Sequence, residues 1–423
     1  MSFFKNLLKS DFSKNVLTLM TGTTIAQAIP IAITPILTRL YTPDDFGVFA
    51  LFLAITAVAG SISNAQYEQA IILPEKDEDA FNLVAFGILI AFSFSLILLV
   101  LTFIFNSEIE VLLGNDNLGN LLYLIPLSTL LIGIYNSLNF FNIRKKKYKN
   151  ISYSLISRSS SLGVSQVILG LFTLGPIGLI IGQMISFFSG NIMLYKTLKK
   201  NYRSDYITKE KIIIQVKKYK KFPYYSLPSI LLNSINLNII NLLISFIFSI
   251  ATLGFYTLAQ RVVSIPARVI GNSFSQVYLQ QASDLLKKTG STKAIFLKSL
   301  KKLTIISFPI FLTLYFISEP IFAFVFGEEW RISGTYAKIL IPLAAVRFVS
   351  SSLSNTFVVY QKQQFLMYFN MVLFIIIITV FSISKVTNLD TITTLSIYSF
   401  SISIIYLLLL LVNWNASKKK CIK

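Results

Sequence analysis

Runs of about twenty apolar residues recur along the whole chain, separated by short polar breaks. A helix needs about 20 such residues to cross the hydrocarbon core of a bilayer. The runs place about twelve spans, at 15–38, 46–66, 81–105, 119–142, 151–173, 176–195, 227–249, 253–277, 303–326, 336–359, 365–385 and 392–413. Only 13% of residues are charged, against about 25% in soluble proteins, and mean hydropathy is +0.69. The expected fold class is an all-α polytopic membrane protein.

The formal net charge of +20 would suit nucleic acid, but its distribution argues for a membrane. If the N-terminus is cytoplasmic and the spans alternate, that side receives Lys5, Lys9, Lys14, the Arg144–Lys147 run with Lys149, ten bases between Lys196 and Lys221, the lysines from Lys287 to Lys302, and Lys418–Lys420. The other side receives Asp44, Asp45, Glu108, Glu110, Asp116, Glu328 and Glu329. This is the positive-inside pattern. It predicts a multi-pass protein with both termini cytoplasmic, basic loops that also attract anionic headgroups, and no nucleic-acid partner. The single cysteine, Cys421, allows no internal disulfide and is too close to the end for a prenylation box. With no histidine, an imidazole relay is excluded. The first apolar run exceeds a signal-peptide core and lacks a cleavage site, so it is expected to be retained.

The longest non-membrane stretch, 196–226, divides the chain into lobes of six spans each, 1–205 and 206–423. Within it, Ile212, Ile213, Val216 and Tyr219 stand among lysines, which predicts an amphipathic helix over 207–222 on the cytoplasmic membrane surface. A weak internal repeat supports two halves: Gly47 and Gly254, 207 residues apart, each open a span with aromatic residues following. No outer loop exceeds about a dozen residues, which leaves no room there for a soluble catalytic domain.

Four arginines fall inside predicted spans: Arg158, Arg261, Arg268 and Arg347. A charge at the bilayer centre costs at least about 2.5–3.5 kcal/mol, so it normally faces a partner or a water-filled cavity. Arg261, Ser264, Arg268, Asn272 and Ser275 recur at helical spacing, as do Ser154, Arg158, Ser161 and Ser165, then Ser234, Asn238, Asn241 and Ser245, and finally Arg347, Ser351 and Asn355. Such stripes suit the lining of a cationic cavity; the serines and asparagines suit helix–helix bonding equally. Lys338, nine residues from Arg347, is expected to snorkel to the interface. Arginine suits phosphate because its planar fork donates parallel hydrogen bonds and stays charged. The acids Glu68 and Glu319 are candidates for a coupling H+ or Na+, or for simple interfacial or salt-bridge roles. Asp77–Asp79 favour the start of a helix, and Asp44-Asp45 read as a helix cap. Pro30, Pro35, Pro266, Pro309 and Pro342 mark spans that are kinked or bend.

The segment Thr38-Arg39-Leu40-Tyr41-Thr42-Pro43-Asp44-Asp45-Phe46-Gly47 resembles the first-loop signature of Wzx-type polysaccharide transporters. So do Tyr67-Glu68-Gln69-Ala70-Ile71 with Pro74, Phe222-Pro223-Tyr224-Tyr225-Ser226-Leu227-Pro228-Ser229, and Leu253 to Arg261 with Pro266 and Gln276-Val277. The resemblance implies the multidrug/oligosaccharidyl-lipid/polysaccharide exporter superfamily: two six-helix lobes around a central cavity that opens to either side in turn. It implies a flippase that carries an undecaprenyl-diphosphate-linked oligosaccharide from the cytoplasmic to the periplasmic leaflet of a bacterial inner membrane, for O-antigen or capsule. In the related lipid II flippases an arginine of the eighth helix contacts the diphosphate, and Ala259-Gln260-Arg261 with Pro266 matches that place. Their first-helix arginine and acid do not carry over, since span 1 offers only Arg39 at its outer end, and their two extra helices are missing.

The expected substrate-binding residues are therefore Arg261, Arg268, Arg158, Arg347, Arg39, Asn238, Asn241 and Asn272, with no catalytic or metal-binding residue. The expected partners are the lipid-linked oligosaccharide, the bilayer, a coupling ion, and a polysaccharide polymerase with other assembly proteins. No nucleotide-binding loop of the G-x-x-x-x-G-K-[ST] kind is present, so no cofactor is expected and an ion gradient or membrane potential would supply energy. Two other readings stand beside this one. A multidrug exporter of the same superfamily would favour intramembrane acids for cationic drugs, and a polymerase or ligase would need a sizeable outer loop.

Overall fold

The computed structural model describes residues 11–108, 119–201, 206–360, 362 and 364–418, with side chains from residue 18 onward except those of residues 201, 272, 273 and 287. Lys5, Lys9, Glu110, Asp116, Lys419, Lys420, Cys421 and the side chains of Lys14, Asn272 and Lys287 lie outside that description. Among the described residues every regular element is a helix, as expected where backbone groups must be paired within their own segment.

The chain divides into two compact units, Met1–Ala251 and Thr252–Lys423. In the first are α1 (Asp11–Leu40), α2 (Pro43–Ile62), the short α3 (Tyr67–Ala70), α4 (Asp77–Ile104), α5 (Leu124–Arg144), α6 (Tyr148–Leu171), α7 (Pro176–Asn201), α8 (Lys209–Lys218) and α9 (Leu227–Ile247). From the junction onward run α10 (Ile250–Val263), α11 (Asn272–Thr289), α12 (Lys293–Phe326), α13 (Arg331–Leu353), α14 (Gln364–Thr387) and α15 (Thr391–Lys418). The lobe boundary expected at 205/206 follows the long loop; by packing, α9 sits with the first unit, where Ser234 Oγ donates to the Ala57 carbonyl of α2 at 3.3 Å.

Ten helical stretches are long and apolar enough to cross a membrane. Two of the twelve expected spans, 151–173 and 253–277, fall short of that measure although both are helical. The first carries Arg158 within a run of serines, and the second carries Arg261 and Arg268 and is broken after Val263. Side chains such as Phe103, Phe324 and Val386, 76%, 84% and 82% exposed, give these helices surfaces that need hydrocarbon rather than water.

Local sequence explains the helix starts. Thr42 caps α2: its Oγ1 accepts from the Asp45 amide at 3.2 Å, and Asp45 Oδ2 accepts from the Thr42 amide at 2.9 Å. The cap expected at Asp44-Asp45 is thus Thr42 itself, with Asp45 as its partner three residues on in a capping box. Asp77, Glu78 and Asp79 occupy the first turn of α4, where acids favour the helix dipole. Pro30 and Pro35 lie inside α1, Pro309 and Pro320 inside α12, and Pro342 inside α13, all without a break in the helix. Around Pro266 regular α-helix gives way to a π-helical turn at Ala267–Gly271, and a second π-helical turn, Phe222–Ser226 with Pro223, leads into α9.

In the first unit, Tyr41 Oη donates to the Gln166 carbonyl of α6 at 2.7 Å. At the opposite end Arg144, closing α5, donates to Asp77 and to the carbonyls of Ile72, Pro74 and Glu75. The loops after α2 and α5 therefore meet at one end of the unit, as alternating spans require. The centre is held by Asn64. Its Nδ2 lies 3.0 Å from the Gly87 carbonyl, the Gly133 carbonyl and Ser137 Oγ, and its Oδ1 accepts from Ser63 Oγ at 3.0 Å. A Cβ on Gly133 would sit 2.5 Å from that of Ala91, so only glycine lets α5 approach α4 here. In the second unit, Ser350 and Ser399 tie α13 and α15 by donating to the Tyr406 and Ile339 carbonyls at 2.9 and 2.7 Å.

Asn64→Ala should destabilise the protein by about 1–3 kcal/mol, since it strips buried partners from three helices at once. Ser403→Ala, whose hydroxyl bonds only the Ser399 carbonyl of its own helix, should stay within about 0.5 kcal/mol. Thermal unfolding in one detergent, compared across the three proteins, checks both.

Candidate functional site

Three of the expected arginines come together in the second unit. Arg261 ends α10, Arg268 sits on the π-helical turn, and Arg347 lies on α13. Arg268 is within electrostatic reach of both Arg261 and Arg347. A π-turn widens the helix by one residue per turn and is frequent at functional sites. The Arg268 amide still bonds the Ser264 carbonyl four residues back, so the turn shifts the far end of the expected stripe, Ser275, relative to Arg261 and Arg268. Arg268 and Arg347 are exposed, and Arg261 is half-buried.

Arg347 is set by tyrosines. Its guanidinium lies 5.7 Å from the centroid of the Tyr406 ring, and Tyr256 and Tyr398, hydrogen-bonded to each other, stand within its electrostatic reach. Gln260 Nε2, next in sequence to Arg261, donates to Tyr256 Oη at 3.3 Å. Tyr398 and Tyr406, two turns apart on α15, present two polar tips to one arginine. None of these tyrosines was among the expected site residues. The spacing of Tyr398 and Tyr406 was readable as a shared face, but their neighbour on α13 was not.

In the first unit Arg158 is sandwiched. Its guanidinium lies 4.4 Å from the centroid of Tyr135 on α5 and 3.9 Å from that of Phe187 on α7, while its buried Nε has no hydrogen-bond partner. Cation–π stacking is strongest when the cation is desolvated. Gly190 makes room for the stem, since a Cβ there would meet Arg158 Cδ at 2.6 Å. Arg39, in the last turn of α1, is exposed.

The smaller polar residues mostly join helices. Ser154 Oγ donates to the Gly190 carbonyl at 3.1 Å, Ser161 and Ser189 share a 2.6 Å bond, and Asn355 Nδ2 reaches Ser275 Oγ at 2.8 Å. Asn238 Nδ2 donates to the Ser234 carbonyl one turn back at 2.8 Å. Asn241 differs, for its Oδ1 is buried without a partner.

The two candidate acids have different surroundings. Glu319 on α12 lies 3.6 Å from Lys338 Nζ, so the lysine expected to snorkel has a carboxylate beside it. Glu68, in α3, is 5% exposed and its Oε2 has no partner. Ala65 and Gln66 just before it take left-handed backbone (φ 48° and 64°), which is uncommon for such residues. Their turn carries the chain from α2 into α3 and buries the carboxyl. Burial pushes the Glu68 carboxyl up to about 7 from its ordinary 4.5, and its backbone hydrogen bond only partly opposes this.

The model of a family described as polysaccharide biosynthesis protein matches residues 36–334. The chain belongs to this polysaccharide biosynthesis family. It is 23% identical over 358 residues to an uncharacterized membrane protein in the cps region of Klebsiella pneumoniae, covering 84% of this chain and 72% of that one. It is 22% identical over 337 residues to the succinoglycan biosynthesis transport protein ExoT of Rhizobium meliloti (strain 1021), covering 78% of this chain and 64% of that protein's length. Among solved structures, the lipid II flippase MurJ in an inward closed conformation is similar at TM-score 0.70 and 15% identity, over 94% of this chain and 87% of that one. An inward-facing multidrug resistance MATE family transporter of the MOP superfamily is similar at TM-score 0.67 and 12% identity, over 94% of each chain. At such identities the likeness establishes the fold. The family match bears out the resemblance to polysaccharide biosynthesis proteins, and the two solved structures bear out the all-α polytopic fold.

Because folded Glu68 holds its proton more tightly than the unfolded chain does, this family member should lose stability as pH rises from about 4.5 to about 7 and level off above. Glu68→Gln should match the parent near pH 4.5, lack that decline, and melt higher at pH 8. Melting temperatures taken from pH 4.5 to 8 give the comparison, and a parent-like decline in the variant would show that Glu68 is not its source.

Proposed function

We propose that this protein flips an undecaprenyl-diphosphate-linked oligosaccharide from the cytoplasmic to the periplasmic leaflet of a bacterial inner membrane, for surface polysaccharide such as O-antigen or capsule. The observation that carries this reading is the gathering of Arg261 and Arg347 about Arg268, each within its electrostatic reach. Guanidinium forks match the oxygens of a diphosphate, and their charge does not depend on pH. Family membership and the transporter named among the relatives support movement of a polysaccharide precursor. The reaction makes and breaks no covalent bond.

In this reading Arg261 and Arg268 take the diphosphate, Arg347 is held ready beside them by Tyr256, Tyr398 and Tyr406, and Asn272 flanks Arg268 in sequence. Arg158, Arg39, Asn238 and Asn241 are assigned to the glycan and to the path through the first unit. Both termini are assigned to the cytoplasm, and a polysaccharide polymerase with other assembly proteins is the downstream partner. Glu68 suits a coupling H+, because a buried carboxyl that titrates near neutrality changes charge within the physiological range. Glu319, beside Lys338, suits that role less well.

The test is movement of a fluorescent undecaprenyl-diphosphate glycan across liposomes holding the purified protein. Arg261→Ala and Arg268→Ala should each slow it roughly 10- to 100-fold, the equivalent of one charge-assisted hydrogen bond. Arg261→Lys should recover only part of the rate, since a point charge cannot make the paired bonds. Unchanged movement in both alanine variants would remove the arginine cluster from the mechanism. No movement with several glycans, with and without an ion gradient, alongside export of cationic dyes, would favour the multidrug reading.

A further inference from the structure

The stretch 206–226 carries features that the transport reading leaves unused. α8 is docked on the first unit by an ion pair between Lys211 and Glu78. The Thr208 amide donates to Asn82 Oδ1 at 3.2 Å, and Asn82 Nδ2 donates to the Tyr206 carbonyl at 2.7 Å. Tyr67 Oη donates to the Val216 carbonyl at 3.3 Å. Glu78 and Asn82 belong to the first turns of α4, a membrane-spanning helix. These bonds therefore fix the rotation of α8 and hold it level with the edge of the hydrocarbon core.

Ile212, Gln215, Val216 and Tyr219 form the docked stripe, with Gln215 fully buried. Val216, Tyr219 and Phe222 pack on the cluster around Phe81 and Phe141. The amphipathic helix expected from the sequence thus turns part of its apolar face inward. What it leaves outside is Ile213 and Ile214, 44% and 58% exposed, with Lys217, Lys220 and Lys221 exposed around them. Tyr224 and Tyr225 follow, 72% and 76% exposed, directly before α9. Glu210 is the one acid in the stretch 206–226.

We propose that the outer face of α8 and the following turn to Tyr225 form a binding surface for anionic phospholipid headgroups. The isoleucines would enter the acyl boundary, the lysines would meet phosphates, and the tyrosines would sit at headgroup depth, where their half-polar rings are favoured. Charge complementarity and the position of the helix at the membrane edge select this partner. An acidic protein segment would complement the lysines but would leave unexplained two adjacent aliphatic side chains and two tyrosines exposed at that depth.

The test uses the full chain carrying Ile214→Cys and Cys421→Ser, spin-labelled, in nanodiscs of phosphatidylcholine alone or with added phosphatidylglycerol. In the anionic discs the label should collide with dissolved oxygen and be screened from a polar nickel chelate. Lys217→Gln, Lys220→Gln and Lys221→Gln together should return it to the chelate, with roughly a fivefold loss of partitioning per lysine. Raising salt should do the same with every lysine in place, which keeps the test independent of how the substituted chain folds. Equal screening in both kinds of disc, or screening that survives salt, would mean burial without headgroup charge. Exposure to the chelate in both discs would mean that the face meets water or another partner. Either result overturns the proposal.

Discussion

One asparagine shows what the rest of the first unit depends on. Asn64 draws on two carbonyls and a hydroxyl from α4 and α5 while sitting at the end of α2, so three helices share one set of bonds. In hydrocarbon there is no water to take a lost bond, and a polar group must find its partner in the chain. The same demand explains why the serines of the spans reach across to carbonyls: Ser154 to Gly190, Ser234 to Ala57, Ser350 to Tyr406, Ser399 to Ile339. It also makes the exceptions informative. Arg158 Nε, Asn241 Oδ1 and Glu68 Oε2 are among the buried side-chain atoms that have no hydrogen bond.

The arginines show three solutions to one problem. Arg144 spends its donors on the carbonyls and carboxylate of a single loop and locks it. Arg158 trades water for two aromatic faces, which accept a cation without taking its protons. Arg347 leans on tyrosines, whose hydroxyls offer polarity without a fixed negative charge. An arginine neutralised by a carboxylate has little left for an anionic ligand, whereas one held by rings keeps its full charge. Tyrosine beside Arg347 therefore leaves the guanidinium the full charge that the proposed diphosphate site would need, where an aspartate would not.

Most of the fold was legible because the signals are local. Spans follow from runs of apolar residues, a helix start near α2 from Asp44 and Asp45, and the amphipathic helix from lysines among Ile212, Ile213, Val216 and Tyr219. What was not legible depends on pairs distant in the chain. Nothing near Arg158 in sequence announces Phe187, and nothing near Arg347 announces Tyr406. Helical spacing also misplaced Ser275 relative to Arg261, because a regular period assumes a regular helix. Proline at 266 was visible as a breaker, but whether a proline kinks, is absorbed or opens a π-turn depends on its neighbours. In α1 the hydroxyls of Thr34 and Thr38 donate to the Pro30 and Pro35 carbonyls at 2.6 and 3.1 Å, and the helix runs on.

That π-turn bears on how the arginine cluster works. On a straight helix, residues seven apart stand about 10 Å apart along the axis on one face. A π-turn at Ala267–Gly271 sets the height and angle of the segment that carries Arg268 without lengthening the chain. Like charges repel more strongly as the surrounding dielectric falls, so Arg268, within reach of both Arg261 and Arg347, is raised in energy with them when water is excluded. A ligand with two adjacent negative charges relieves that repulsion, and relieves it most where all three are nearest. The energy of the cluster is then coupled to the shape of the turn that carries Arg268. Under the proposed flippase reading, any motion that tightens or unwinds Ala267–Gly271 would change the affinity for the diphosphate, which a cargo that must be both taken up and released requires.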